Sequence, residues 1–281
     1  MGSLARRIAS KSKADWSRIS YTYYKEIKYF FTRSKAQKTV VCIVGCQRSG
    51  STMLYKIFCK DPRTKVYQEF SSLSSDDKQH KIRLNPIEKV AKTISRIKHP
   101  VVVLKPLVES QRIDALSQIS KNTKYIWLYR NFEDVAASNL KKFGKENGLK
   151  NLKPVVSGEK NNWRSEHLSS NIVQRVRGFH SSSITQVDAA ALFWWVRNQL
   201  YFQQNLNQND RVYTCQYESL VTDPIAEMKK IYAFLSISYP GNHIVSDVHS
   251  HSIGKGKDIQ LAKEIKAICS STLEQLNRFK N

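Results

Sequence analysis

The chain has 281 residues, 41% hydrophobic and 25% charged, enough to bury the core of one large domain and too apolar for a disordered chain. Its formal net charge of +23 attracts polyanions, nucleic acid included, or anionic membrane surfaces, and says nothing about fold. No stretch approaches about 18 consecutive apolar residues and no uninterrupted apolar core opens the chain, so neither a membrane-spanning helix nor a secretory leader is expected. Cysteines 42, 46, 59, 215 and 269 show no disulfide or metal-ligand spacing, and a reducing, cytoplasmic setting is the expectation.

Residues 1–38 read as a separate basic segment, with ten Lys or Arg against two acidic residues. Trp16, Ile19, Tyr23, Ile27 and Phe30 recur at spacings of three and four, which gives a helix one aromatic face and one basic face. Packing against the main domain with solvated charges is the plainer expectation. Peripheral contact with an anionic membrane surface is the sharper one. Residues 39–281 read as one domain.

That domain opens with Val40-Val41-Cys42-Ile43-Val44, a β-branched run that ends at Gly45. A loop follows, Cys46-Gln47-Arg48-Ser49-Gly50-Ser51-Thr52, and then helix-compatible Met53 to Phe58. Strand, loop and helix start form a phosphate cradle, because N–H groups at a helix N-terminus lack intrahelical partners and face the positive end of the dipole. The two glycines have the P-loop spacing, but Ser51 and Thr52 follow the second one where Lys and Ser or Thr would serve a nucleoside triphosphate. The loop's only cation is Arg48, which argues against an ordinary ATPase.

Lys65 to Phe70 reads as a second strand, which leaves Glu69 at the carboxyl edge where ligands collect in open parallel sheets. Ser71 to Pro86 is polar and is expected to be a mobile loop over the site, with His80 a further candidate base. After a basic helix to Lys98, Val101 to Leu104 is a buried parallel strand that ends at Lys105. Tyr125 to Tyr129 delivers Arg130 to the same edge. Ser138, about two turns into the next helix, can face the same anion as Arg130.

Residues 140–187 change composition, with nine Lys or Arg against three Glu, and read as an insertion that shapes an acceptor site. Its basicity suits an anionic acceptor, although solvated lysines are the commoner explanation. No nucleic-acid-binding motif stands out and no nucleic-acid partner is expected. The aromatic helix of residues 188–206 reads as core. The strand at 211–217 leads to Tyr217-Glu218-Ser219-Leu220-Val221, and Asp223 before Pro224 caps another helix. His249 and His251 lack further ligands, so no metal is expected. Ser252 to Lys257 forms a loop before a last helix from about Asp258 to Phe279. Alternating strands and helices predict an α/β fold, a three-layer P-loop domain with a central parallel sheet flanked by helices.

Over roughly residues 39 to 279 these landmarks resemble the sulfotransferases that use 3′-phosphoadenosine 5′-phosphosulfate (PAPS) and release adenosine 3′,5′-bisphosphate (PAP). The Arg48-Ser49-Gly50-Ser51-Thr52 string looks like the family's 5′-phosphosulfate loop, and Arg130 with Ser138 looks like its 3′-phosphate site. The resemblance implies that Lys105 faces the sulfuryl group and that a loop carrying Lys255 and Lys257 closes over the 3′-phosphate. It gives the Tyr217-Glu218 stretch a structural role. Leu107 stands where the cytosolic branch has a histidine base, which shifts that role to Glu69, with Glu109 behind it. Met53 replaces the tryptophan that follows the loop in that branch, and this leaves the seat of the adenine open. The implied reaction is metal-free transfer of a sulfuryl group to a hydroxyl or amine of a small metabolite, lipid or carbohydrate. A P-loop small-molecule kinase and a non-catalytic polyanion binder are the alternative classes.

Overall fold

The computed structural model describes Ile27 and residues 38–75, 82–179 and 184–281. The amphipathic pattern of residues 1–37, Ile27 apart, and the candidate base His80 lie outside the described residues.

Five strands, β1 (Thr39–Gly45), β2 (Thr64–Tyr67), β3 (Val101–Leu104), β4 (Thr123–Tyr129) and β5 (Val212–Gln216), pair in parallel in the order β2-β3-β1-β4-β5. Their connections carry the helices α1 (Ser51–Lys60), α2 (Ile87–Ser95), α3 (Ile113–Ser117), α4 (Phe132–Phe143), α5 (Asn147–Ser157), α6 (Ser170–Phe179), α7 (Gln186–Gln203), α8 (Tyr217–Thr222) and α9 (Pro224–Phe234). The helix α10 (Lys263–Arg278) closes the chain. Central β1 is buried along its whole length because both faces of a parallel sheet are covered.

The period of two along β1 divides the core. Val40, Cys42 and Val44 face a cluster with residues of α2, α4, α5, α6, α7 and α10, while Val41 and Ile43 face one built from α1, α8 and α9. The result is the expected three-layer α/β domain. Phe193, Trp194 and Trp195 of α7 are buried, and the Trp194 Nε1–H donates to the Arg130 carbonyl oxygen at 3.0 Å. The aromatic run is core, and it also braces the end of β4.

Three local expectations are corrected or sharpened. The last helix starts at Lys263, because the Gly254 and Gly256 N–H groups bind Asp134 and the Ala262 N–H binds Asp188, which holds the preceding residues as a loop. The described ends of the 71–86 segment are tied down: Ser75 N–H donates to Arg83 O and Asn85 N–H to Leu73 O, both at 2.9 Å, beneath a buried Leu73. The Asp223 carboxylate accepts from the Ala226 N–H at 3.0 Å, and the cap forms as its sequence predicts. Among the described residues no helix is long and apolar enough to cross a membrane.

Candidate active site

Each of the five strands delivers a polar or aromatic group to one sheet edge. The 45–52 loop follows β1, Glu69 follows β2, Lys105 follows β3, Arg130 follows β4 and Tyr217 follows β5. Parallel topology forces this convergence, since all five carboxyl ends point the same way.

The loop turns through Gly45 at φ 120°, Arg48 at φ 69° and Gly50 at φ 94°. At Gly50 a Cβ would overlap the Tyr217 ring, so glycine is required for close approach as well as for the turn. No backbone acceptor or side chain among the described residues takes the N–H groups of residues 48–52, and α1 has neither a side-chain cap nor an acidic residue in its first turn. The positive end of α1 is therefore open to an anion. Ser49 is fully buried and its Oγ has no hydrogen-bond partner. Such a buried hydroxyl is costly unless a ligand satisfies it.

Arg130 is buried, with its guanidinium carbon 4.4 Å from the Tyr217 ring centre. One Nη donates to Asp134 at 3.0 Å and to the Ser252 carbonyl oxygen, whereas the Nε is buried without a partner. Asp134 in turn accepts from the Gly254 N–H at 3.0 Å and the Gly256 N–H at 2.7 Å. A Cβ on Gly256 would overlap the Glu133 backbone, so the late loop lies directly on α4. Lys255 and Lys257 flank that contact and are exposed. Ser138 is bonded to the first loop, taking a hydrogen bond from Arg48 Nε at 3.0 Å. Burial, and then the nearby Arg130 cation, pull Arg48 below its ordinary range. Two cations held this close call for an anion.

Lys105 Nζ lies 2.5 Å from a Glu69 carboxylate oxygen and 3.4 Å from Thr52 Oγ1. The candidate base, the candidate sulfuryl-facing lysine and the end of the cradle thus meet. Two cavities also meet at Thr52. One, of about 310 Å³, runs along α1 past Met53, Tyr217, Ile244, Val248 and Ser252. The other, of about 340 Å³, holds Arg48, Glu69, Lys105 and an apolar wall that includes Leu107, Phe143 and Trp163.

Glu109 is corrected as the reserve base. It is fully buried and accepts from Arg83 Nε at 2.9 Å, Arg112 Nε at 2.9 Å and the Leu84 N–H at 3.0 Å. Its lone pairs are committed to the fold, and it lines neither cavity.

The sulfotransferase domain family matches residues 38–274. The chain belongs to the sulfotransferase family. It is similar in structure to the sulfotransferase domain of the Synechococcus PCC 7002 olefin synthase, at 14% identity and a TM-score of 0.53, over 88% of this chain and 98% of that one. A sulfotransferase from Alicyclobacillus acidocaldarius matches at 13% identity, TM-score 0.49, over 88% and 98% of the two chains. A mouse sulfotransferase solved with PAP matches at 15% identity, TM-score 0.40, over 82% and 70%. No curated protein matches the chain in sequence. The protein is thus a sulfotransferase of α/β fold. Its family transfers a sulfuryl group from PAPS to an acceptor and releases PAP, so neither the kinase nor the non-catalytic class describes it.

Sequence reasoning missed several groups around this sulfotransferase's site. The resemblance implies a structural role for Tyr217, yet its ring packs on Gly50 and Arg130 and lines the first cavity. Phe143, Asn151, Trp163 and Arg164, from the 140–187 stretch, line the second cavity. The only sequence signal for them was the composition of that stretch.

Proposed function

We propose that the cradle and the first cavity bind PAPS, and that the second cavity holds the acceptor. Bound there, PAPS supplies a sulfuryl group joined to a good leaving phosphate. The N–H groups of residues 48–52, the Ser49 hydroxyl and Arg48 hold that phosphate. Arg130 offers its unpartnered Nε to the 3′-phosphate, with Ser138 beside it and Lys255 and Lys257 closing the loop above. Met53 and Tyr217 give the adenine its apolar seat, which answers the loss of the tryptophan expected after the loop.

Glu69 takes the proton of the acceptor hydroxyl or amine as the new bond to sulfur forms. Lys105 neutralises charge on the sulfuryl oxygens and the bridging oxygen as the old S–O bond breaks and its electron pair leaves with PAP. The Lys105–Glu69 pair keeps both groups at the junction of the two cavities before an acceptor arrives. In this reading the 140–187 stretch shapes the acceptor site, and no step needs a metal.

The observation that carries this reading is the pairing of open donors, Ser49 Oγ and Arg130 Nε, with a free helix N-terminus on the edge that also bears Lys105 and Glu69. A thermal-shift assay tests it. PAP at 100 times its dissociation constant adds about 2.7 kcal/mol of stability. A rise with ATP and magnesium but none with PAP would defeat the donor assignment.

A further inference from the structure

The proposed acceptor cavity holds a cation, Arg164, with which no carboxylate among the described residues forms an ion pair. Arg164 is half-buried on its wall, with its guanidinium carbon 4.4 Å from the Trp163 ring centre. Its Nε donates to Asn151 Oδ1 at 2.7 Å, and no ion pair engages it among the described residues. Arg48, at the other end of the same cavity, belongs to the cradle and donates to Ser138, and Arg197 is held by Gln111 and by the Leu107 and Trp163 carbonyl oxygens, while other arginines are ion-paired. Arg83 is paired with Glu109 and Glu166, Arg112 with Glu109, and Arg130 with Asp134. The exposed Glu159 acts on Arg164 only beyond ion-pair distance, and its oxygens bind Ser157 and Asn162 instead.

Asn151 supplies the second, independent observation. It is 1% exposed and lines the same cavity, and its Nδ2 has no hydrogen-bond partner among the described residues. Because Oδ1 is committed to Arg164, the free atom is a donor. A buried amide donor left open is unfavourable unless a ligand accepts from it. One wall of the cavity therefore offers a cation and an N–H donor, apolar lining that includes Leu107, Phe143 and Trp163 lies beside it, and Glu69, Lys105 and the cradle's Arg48 stand at the end that meets the first loop.

We propose that the acceptor is an amphipathic alcohol or phenol that carries an anionic group, seated on Arg164 and Asn151 Nδ2 while its hydroxyl meets Glu69. This rests on the assignment of the second cavity to the acceptor. Apolar walls hold the body of the acceptor, the reacting hydroxyl enters the Lys105–Glu69 junction, and the anion fixes which end goes in. A carboxylate, phosphonate or sulfonate shares the needed chemistry, and a planar carboxylate best matches the guanidinium fork.

The test uses the full-length protein saturated with PAP, so that acceptor binding is read without turnover. A hydroxyphenylpropionate and its phosphonate, sulfonate and neutral amide analogues are titrated by calorimetry. The anionic members bind about a hundredfold more tightly than the amide, and their order identifies the anion. In Arg164→Gln that preference collapses, while Arg164→Lys keeps part of it. Asn151→Asp also abolishes it by supplying Arg164 with an internal carboxylate, without deleting the cation. An amide that binds as well as the anions, or a series in which no member binds, overturns the proposal. The PAP-induced rise in thermal midpoint is recorded for every variant. If PAP itself fails to bind, it is the donor assignment that has failed.

Discussion

Glu69 and Glu109 follow neighbouring strands on the same sheet edge, and their surroundings give them opposite fates. Glu109 is fully buried, receives two arginines and a backbone N–H, and has no oxygen left for chemistry. Glu69 faces the second cavity with a single partner among the described residues, Lys105, which itself faces the cradle. A carboxylate saturated by fixed donors holds a fold together. One with a single movable partner can exchange it for a substrate proton.

The largest effect is expected at Glu69. Glu69→Gln keeps the shape and removes the base, and the expected loss in turnover is about 10²- to 10⁴-fold, with PAP binding retained. A variant that still turns over at the wild-type rate would move the base elsewhere. Glu109→Gln should do the reverse, leaving Arg83 and Arg112 without their shared buried anion at a cost of about 3–5 kcal/mol. Urea unfolding measures this, and a cost below about 1 kcal/mol would show that the cluster is not structural.

A third carboxylate sharpens the contrast with a smaller effect, one of slope. Asp61 is buried. Burial alone would raise its pKa, but hydrogen bonds from Arg63 and Tyr232 hold it below the usual carboxylate range. Its contribution is therefore complete above an unfolded-state value of about 3.9 and is lost as pH falls through the lower folded-state value. Thermal midpoints across acid pH should fall less steeply in Asp61→Asn than in the wild type. Parallel curves would contradict the assignment.

What the sequence made legible is what local pattern encodes. The β-branched run of β1, the glycine spacing of its loop, and the residues that end β3 and β4 all follow from short-range rules, and so do the fold class and the family. The misreadings depend on contacts between distant segments. Nothing near Glu109 in sequence announces Arg83, which reaches it from the segment before α2. Tyr217 reads as structural until folding lays its ring against Gly50 and Arg130. The start of α10 is set by Asp134 and Asp188, whose bonds to backbone N–H groups outweigh local helix preference. Arg164 is one of nine basic residues in its stretch, and only its place on the cavity wall beside Asn151 distinguishes it.

The central claim is that the sheet edge reads a nucleotide bearing both a 5′- and a 3′-phosphate. Calorimetric titration of PAP against adenosine 5′-monophosphate, in the wild type and in Arg130→Lys, tests it most directly. The lysine keeps a cation beside Asp134 but lacks the Nε–H of the guanidinium fork. PAP should bind the wild type at least tenfold more tightly than the monophosphate, and the variant should lose most of this preference while keeping its affinity for the monophosphate. Equal binding of the two nucleotides to the wild type, or a preference for PAP unaltered in the variant, would contradict it.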